Sequence, residues 1–363
     1  MRNSIVKKSF TLALSIAALT SSFSFAQMEF LGDDLINKPA LLTEYCCGDL
    51  YFNADLLVFK PCEDGLAYGI RRTQTFSPVA PLNTSITNKL KTPHLTWDAG
   101  VRLGLGFNPR GASWSPYLSW THFDTSSKNH LNTTGLEGTE AVTVYPNYGV
   151  NNLGLPTNLR NKFKLHTDWL DFEIGKGFYL GECVLFRPHI GARGVWIGQK
   201  IRTSYDDAIA STAVDFTGVI RLKDFYEGGG LRAGFDLNWD LGCGVSFIGS
   251  TAGSVLFGSQ RIRESDSAIT TIAGTTTTTS FYSGNNKFCS CKGAFDLLVG
   301  FRWDQVLFDC YYVGLQVSYE HHLFMNQNRF FNYSTNPLAT GIYDGSRGNL
   351  ALHGFSVSAN VRF

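Results

Sequence analysis

The sequence predicts an all-β fold: one antiparallel transmembrane β-barrel of about ten strands, with long extracellular loops and short periplasmic turns. Three observations carry that expectation. The first is composition. Of 363 residues only 17% are charged, whereas 14% are aromatic and 37 are Gly. Soluble domains average roughly 25% charge and about 7% Gly. Mean hydropathy is −0.06, far too polar for a helical membrane protein. It suits a chain in which only alternate residues meet lipid. The second observation is period-two alternation over unusually long stretches. The third is a strict rhythm of long and short connections.

Taken from the N-terminus, Met1–Ala26 has the parts of a secretory signal. Arg2, Lys7 and Lys8 precede an apolar run over Phe10–Leu19, and Ser24-Phe25-Ala26 offers small residues for cleavage after Ala26. The apolar run is too short for the roughly 20 residues of a spanning helix. Residues 27–50 are expected to form a periplasmic segment, and the barrel to occupy 51–363.

The clearest strand is Leu95–Phe107. Its odd positions are Leu, Trp, Ala, Val, Leu, Leu and Phe; its even ones are Thr, Asp, Gly, Arg, Gly and Gly. The same alternation recurs at Leu231–Leu241, Phe295–Trp303, Val313–Tyr319 and Phe355–Phe363. Tyr51–Phe59, Trp114–Phe123, Leu165–Phe178, Val184–Ile197 and Val245–Phe257 are apolar on one parity with slips, which completes ten strands. Connections 61–94, 124–164, 198–228, 258–291 and 324–351 run to about 30 residues or more, and short ones alternate with them. Soluble domains rarely hold so many long loops. Outer-membrane barrels do, on the extracellular side. Further strands hidden in 198–228 or 258–291 would raise the count to twelve.

Aromatic placement agrees. Phe107, Trp239, Trp303, Tyr311 and Phe363 fall near the periplasmic rim on this topology, and Trp97 and Tyr319 near the outer one. The bilayer is thus the expected partner. The closing strand ending at Phe363 resembles the terminal signal that bacterial outer-membrane barrels present to their assembly machinery. A net charge of +1 gives no footprint for nucleic acid.

Twelve charged residues share the lumen parity of their strands: Asp98, Arg102, Asp171, Glu173, Arg187, Arg193, Arg232, Asp236, Asp240, Asp296, Arg302 and Glu320. Such near-balanced charge suits a water-filled pore that selects ions, or paired ions that fill a narrow interior. About eight strands leave a lumen filled by side chains and 16–18 leave a channel, so ten strands lie near the filled limit.

The eight cysteines are candidate disulfide partners, as befits an exported chain. Cys62, Cys289 and Cys291 fall at outer strand ends; Cys46, Cys47, Cys183, Cys243 and Cys310 fall on the periplasmic side. Both sets are odd, so each leaves one thiol unable to pair within the chain, and intermolecular cross-links or free thiols follow. His321 and His322 point to opposite faces of a strand and cannot share a metal. No nucleophile elbow, H-E-x-x-H or phosphate loop is visible. No enzyme, metal or cofactor is expected. Gly228-Gly229-Gly230 suggests a bend at a strand start, and the Thr run Gly274–Ser280 a surface loop tip.

Several motifs together resemble the Legionella-type major outer membrane protein family, which extends to similar proteins of environmental chlamydiae. They are the run Leu56–Leu66 (LLVFKPCEDGL), Trp97–Gly106 (WDAGVRLGLG), Arg187–Arg193 (RPHIGAR), Tyr319–Phe324 (YEHHLF) and Leu350–Val357 (LALHGFSV). The resemblance covers the chain from about residue 50 to its end. It implies a pore-forming barrel in the outer membrane of a Gram-negative, chlamydia-like bacterium, with passive diffusion of small polar solutes or ions. It supplies no catalytic motif. The cysteine content is similar to the chlamydial side, where outer-membrane proteins are cross-linked. The alternative is therefore a structural, disulfide-cross-linked envelope protein, as a homo-oligomer or with other envelope proteins, whose surface loops touch a host.

Overall fold

The computed structural model describes residues 50–76, 84–108, 114–133, 136–137, 140–146, 156–207, 214–272, 274–307, 311–334, 342–345 and 347–362. The signal sequence, the segment before Leu50, Cys46, Cys47, Cys310 and Phe363 lie outside the described residues.

Ten strands make the barrel. In chain order they are β1 Leu50–Glu63, β2 Asp98–Phe107, β3 Trp114–Asn132, β4 Pro156–Lys176, β5 Val184–Asp207, β6 Val214–Gly242, β7 Val245–Ile272, β8 Thr275–Leu307, β9 Tyr311–Asn328 and β10 Gly348–Arg362. Each pairs antiparallel with its sequence neighbours, and the ring closes where β1 meets β10 from Tyr51↔Arg362 to Glu63↔Leu350. Closure leaves no free edge in the ring, so every strand has a ladder on both sides. A two-residue strand, Phe178–Tyr179, adds to β5 beside the turn.

Each of the ten sequence-predicted strands lies within or against one of these. The twelve-strand alternative fails for a simple reason. Residues 198–228 and 258–291 are mostly continuations of β5, β6, β7 and β8, which run paired far beyond the membrane-sized part. The β5–β6 ladder reaches Asp206↔Thr217, and β7–β8 reaches Ile272↔Thr275. The long loops expected there are long hairpins instead. The Thr run is accordingly the first part of β8, not a loop tip. Gly228–Gly230 lies inside β6 rather than at a bend, paired to Val195, Gly194 and Arg193. A Cβ on Gly230 would sit 1.8 Å from the Val255 carbonyl oxygen, so close ladder approach excludes a side chain. Two smaller sheets lie outside the ring: Gly69–Phe76 between Thr84–Lys91 and Glu140–Pro146, the last also paired with Leu136–Glu137, and Phe331–Ser334 with Ile342–Gly345.

The tightest short turn follows from local chemistry. Gly242 pairs with Val245 across Cys243 and Gly244, whose φ values of 55° and 76° are both left-handed. That is the backbone a two-residue hairpin turn requires. Asp240 accepts the Gly242 N–H at 2.9 Å. Asp240 is therefore an exposed turn cap, not a lumen charge as its parity suggested.

Outward-facing residues form an apolar belt. Val101, Leu103, Leu105, Leu297, Val299, Leu315, Val317 and Val357 are all exposed. Trp239, Trp303, Phe107 and Tyr311 border the belt at the short-turn end, and Trp97 and Tyr319 border it at the other. An exposed apolar surface this extensive is suited to lipid.

Candidate functional site in the barrel lumen

The lumen face of each strand changes chemistry with height. On β4 it reads Phe163, Leu165, Thr167, Trp169 and then Asp171 and Glu173 toward the short turn. On β9 it reads Gln316, Ser318, Glu320, His322 and then Phe324 away from the turn. On β1, Asn53 and Asp55 give way to Leu57 and Phe59. The lower lumen is polar and the upper lumen is filled with apolar side chains.

The polar part is a network of ion pairs spanning the barrel. Arg102 on β2 donates to both carboxylate oxygens of Glu320 on β9, at 3.1 and 2.6 Å, and to Asp55 at 3.2 Å. Arg193 on β5 donates to both oxygens of Asp171, at 2.6 and 2.7 Å, and its third nitrogen lies 2.7 Å from Asp296 on β8. Arg232 on β6 donates to Glu173 at 2.7 Å and closely to Asp296. The ring nitrogens of His322 lie 2.7 Å from Asp296 and 2.9 Å from Glu320. Two-pronged guanidinium–carboxylate pairs are the strong, geometrically specific kind.

Nearer the short turns the charges are less buried. Arg187 donates to Asp236 at 2.7 Å, and Arg302 to Asp304 at 2.8 Å. Asp98 stands apart at the other end of β2, accepting from Thr125. Below the network a cavity of about 510 Å³ reaches from Tyr51, Tyr312 and Arg362 up to Glu320, His322 and Trp169.

Trp169 belongs to an aromatic layer resting on the ion pairs. Its ring centroid is 5.3 Å from His322 and 5.9 Å from Phe324, and Phe59 lies 5.5 Å from His322 and 5.8 Å from Phe123. β4 and β9 stand five strands apart in a ring of ten. Trp169 and Phe324 therefore meet from opposite walls, and all four aromatic side chains are fully buried. The expectation of a charge-lined lumen does not include this layer. Its signal was the slips in alternation, where Leu56-Leu57-Val58-Phe59 is apolar on both faces.

The family described as Legionella pneumophila major outer membrane protein precursor matches residues 49–363. The chain belongs to that family. It is an outer-membrane protein, and short turns in such barrels face the periplasm. Among curated proteins none matches the chain. Solved structures similar to it include the outer membrane protease OmpT from Escherichia coli, at 7% identity over 88% of this chain and 98% of that one, TM-score 0.36. A Pseudomonas aeruginosa FadL homologue is similar at 10% identity over 87% and 90%, TM-score 0.30. The Pseudomonas putida toluene transporter TodX is similar at 9% identity over 93% and 95%, TM-score 0.24. The ladder and belt described above establish the fold without them.

With this orientation, the cavity lies in the periplasmic half of the lumen of this family member. Beyond the apolar belt, which ends near Val58, Phe257, Phe295 and Tyr319, a further polar group fills the extracellular extension. The Gln199 amide donates to both oxygens of Glu63, at 2.6 and 2.7 Å, and Gln260 donates to Asp224 at 2.7 and 3.0 Å. Lys292 donates to Gln327 at 2.7 Å. Burial pushes the Glu63 carboxyl up to about 8 and holds the Asp224 carboxyl above the usual carboxylate range.

The described cysteines, Cys62, Cys183, Cys243, Cys289 and Cys291, are free and exposed. No disulfide joins them within the chain. Cys183 and Cys243 sit at short turns, and Cys62, Cys289 and Cys291 sit toward the extracellular end.

Proposed function

We propose that the protein is a porin-like pore for small ions and small polar solutes, closed in this structure at the aromatic and ion-pair layers. The observation that supports this reading is the charge-lined periplasmic vestibule of about 510 Å³ ending under Trp169. Arg102, Arg193 and Arg232 facing Asp171, Glu173, Asp296 and Glu320 would bind a passing ion of either sign weakly, as conduction requires. Passage needs the rings to part, so openings should be rare and small beside those of a wide general porin. The reading involves no catalytic step. Planar-bilayer recording of purified protein tests it. Small unitary steps in the wild type, or in a variant lacking the ring layer, support it. Silence from both would overturn it.

A second reading is a cross-linked structural protein of the envelope, favoured by the exposed thiols at both ends of the barrel. In it, Cys62, Cys289 and Cys291 join neighbours outside the cell, and Cys183 and Cys243 in the periplasm. Non-reducing electrophoresis of native membranes checks this. A monomer band unchanged by reductant counts against it.

A further inference from the structure

On the outer face of the barrel, β3 and β4 bring four metal-binding side chains together. The ladder sets His122 opposite Asp168 and Asp124 opposite His166. Residues two apart on a strand share a face, and directly opposed residues have Cβ atoms about 5 Å apart. The result is a square of two imidazoles and two carboxylates, with like groups on the diagonals. His122 Nδ1 lies 2.9 Å from Asp168, His166 Nε2 lies 2.8 Å from Asp168, and His166 Nδ1 lies 2.5 Å from Asp124. His122 Nε2 is 3.5 Å from Asp124. Ligand atoms of His122, His166 and Asp168 all lie within 4.8 Å of one another. The Trp120 ring, on the same outer face of β3 and nearer the short turn, stacks on His122 at 5.8 Å. All four side chains are partly exposed, so a cation can enter from outside.

We propose that His122, His166, Asp168 and Asp124 form a site for a divalent transition cation of the Zn²⁺ class. Two imidazole nitrogens and two carboxylate oxygens are a donor set that zinc accepts tetrahedrally at about 2.0–2.2 Å. That geometry separates neighbouring donors by about 3.3 Å, and each imidazole gives it one nitrogen. One such nitrogen of His122 and of His166 and an oxygen of Asp168 lie within 4.8 Å of one another, and rotation of the neighbouring Asp124 side chain supplies the fourth donor. The ladder fixes the backbone beneath them. The two carboxylates match the charge of the cation. Imidazole with carboxylate suits zinc and its neighbours in the series. A bound cation would staple β3 to β4 at the outer rim.

The test uses the full-length, tag-free protein in detergent, its thiols blocked with N-ethylmaleimide so that Cys62, Cys289 and Cys291 bind no metal. Calorimetric titration with zinc chloride should give one site per chain. His122→Ala and His166→Ala should each weaken it at least tenfold. His321→Ala, on a different part of the rim, should leave it unchanged. Cobalt substituted at the site should give the visible bands of a tetrahedral centre, absent from the double His variant. Heat-modifiable mobility of each variant confirms that it is folded. No retained zinc in the wild type, or equal zinc binding by the His122→Ala/His166→Ala double variant, would overturn the assignment.

Discussion

Trp169→Ala tests whether the aromatic layer closes the lumen. Trp169 is 1% exposed and is among the largest fully buried side chains. It roofs the cavity of about 510 Å³ and touches His322 and Phe324 from the far wall. Losing the indole removes buried apolar surface and opens the roof of the vestibule. Buried Trp→Ala changes cost about 3–5 kcal/mol. At roughly 2–3 kcal/mol per molar urea, the unfolding midpoint in micelles should fall by roughly 1–2.5 M. The ring of ladders stays closed, so the variant should still fold and show heat-modifiable mobility. In planar bilayers it should open more often and with larger unitary steps than the wild type. Trp120→Ala, on the lipid side of β3, is the control and should leave conductance as it was. If Trp169→Ala conducts no better than wild type while losing stability, the ring layer is packing alone and the gate lies elsewhere.

Other positions test the wall and the extracellular lumen. Val101→Arg, at mid-belt and exposed to lipid, should cost about 2–4 kcal/mol and impair insertion; mobility like the wild type would refute the assigned face. Gly191→Ala would set a Cβ 1.8 Å from the Phe172 carbonyl oxygen, and the forced ladder shift should cost about 1–3 kcal/mol by urea unfolding. Glu63 titrates from its ordinary 4.5 up to about 8 in the fold, so the protonated form is favoured by folding. Its stabilising contribution is full below about 4.5 and is lost as pH rises through about 8. The stability of wild type relative to Glu63→Gln should therefore fall between pH 5 and 9. Parallel profiles for the two proteins would show that Glu63 is not buried in that way.

The barrel was legible because two signals depend only on local order. Alternation needs neighbouring residues, and the long–short rhythm needs only strand spacing. Both survive without knowing which strand faces which across the lumen. Even so, alternation does not show that 198–228 and 258–291 are continuations of β5 to β8. Beyond the membrane the outward face meets water, so the lipid-side half of the apolar alternation disappears. Arg261 and Arg263 on β7 and Lys287 on β8 are polar where Phe257 and Phe295, nearer the membrane, are apolar.

The interior was harder for a different reason. The partners in the lumen are distant in sequence: Arg102 and Glu320 are 218 residues apart. Finding them requires the heights of residues on different walls, and strand tilt obscures that height. Phe123 lies nine residues from the start of β3 at Trp114, Trp169 seven from the end of β4 at Lys176, and Phe324 thirteen from the start of β9 at Tyr311. All three belong to one ring layer. A closed barrel staggers its strands by a fixed shear, so equal heights do not mean equal counts from the turn. The same stagger hid the His122–His166 square, whose two His-x-Asp halves lie 44 residues apart along the chain. Parity is preserved by shear and height is not. That is why parity along the chain gives each residue a face, while only the register of the ladders pairs the charges or shows that rings lie above them.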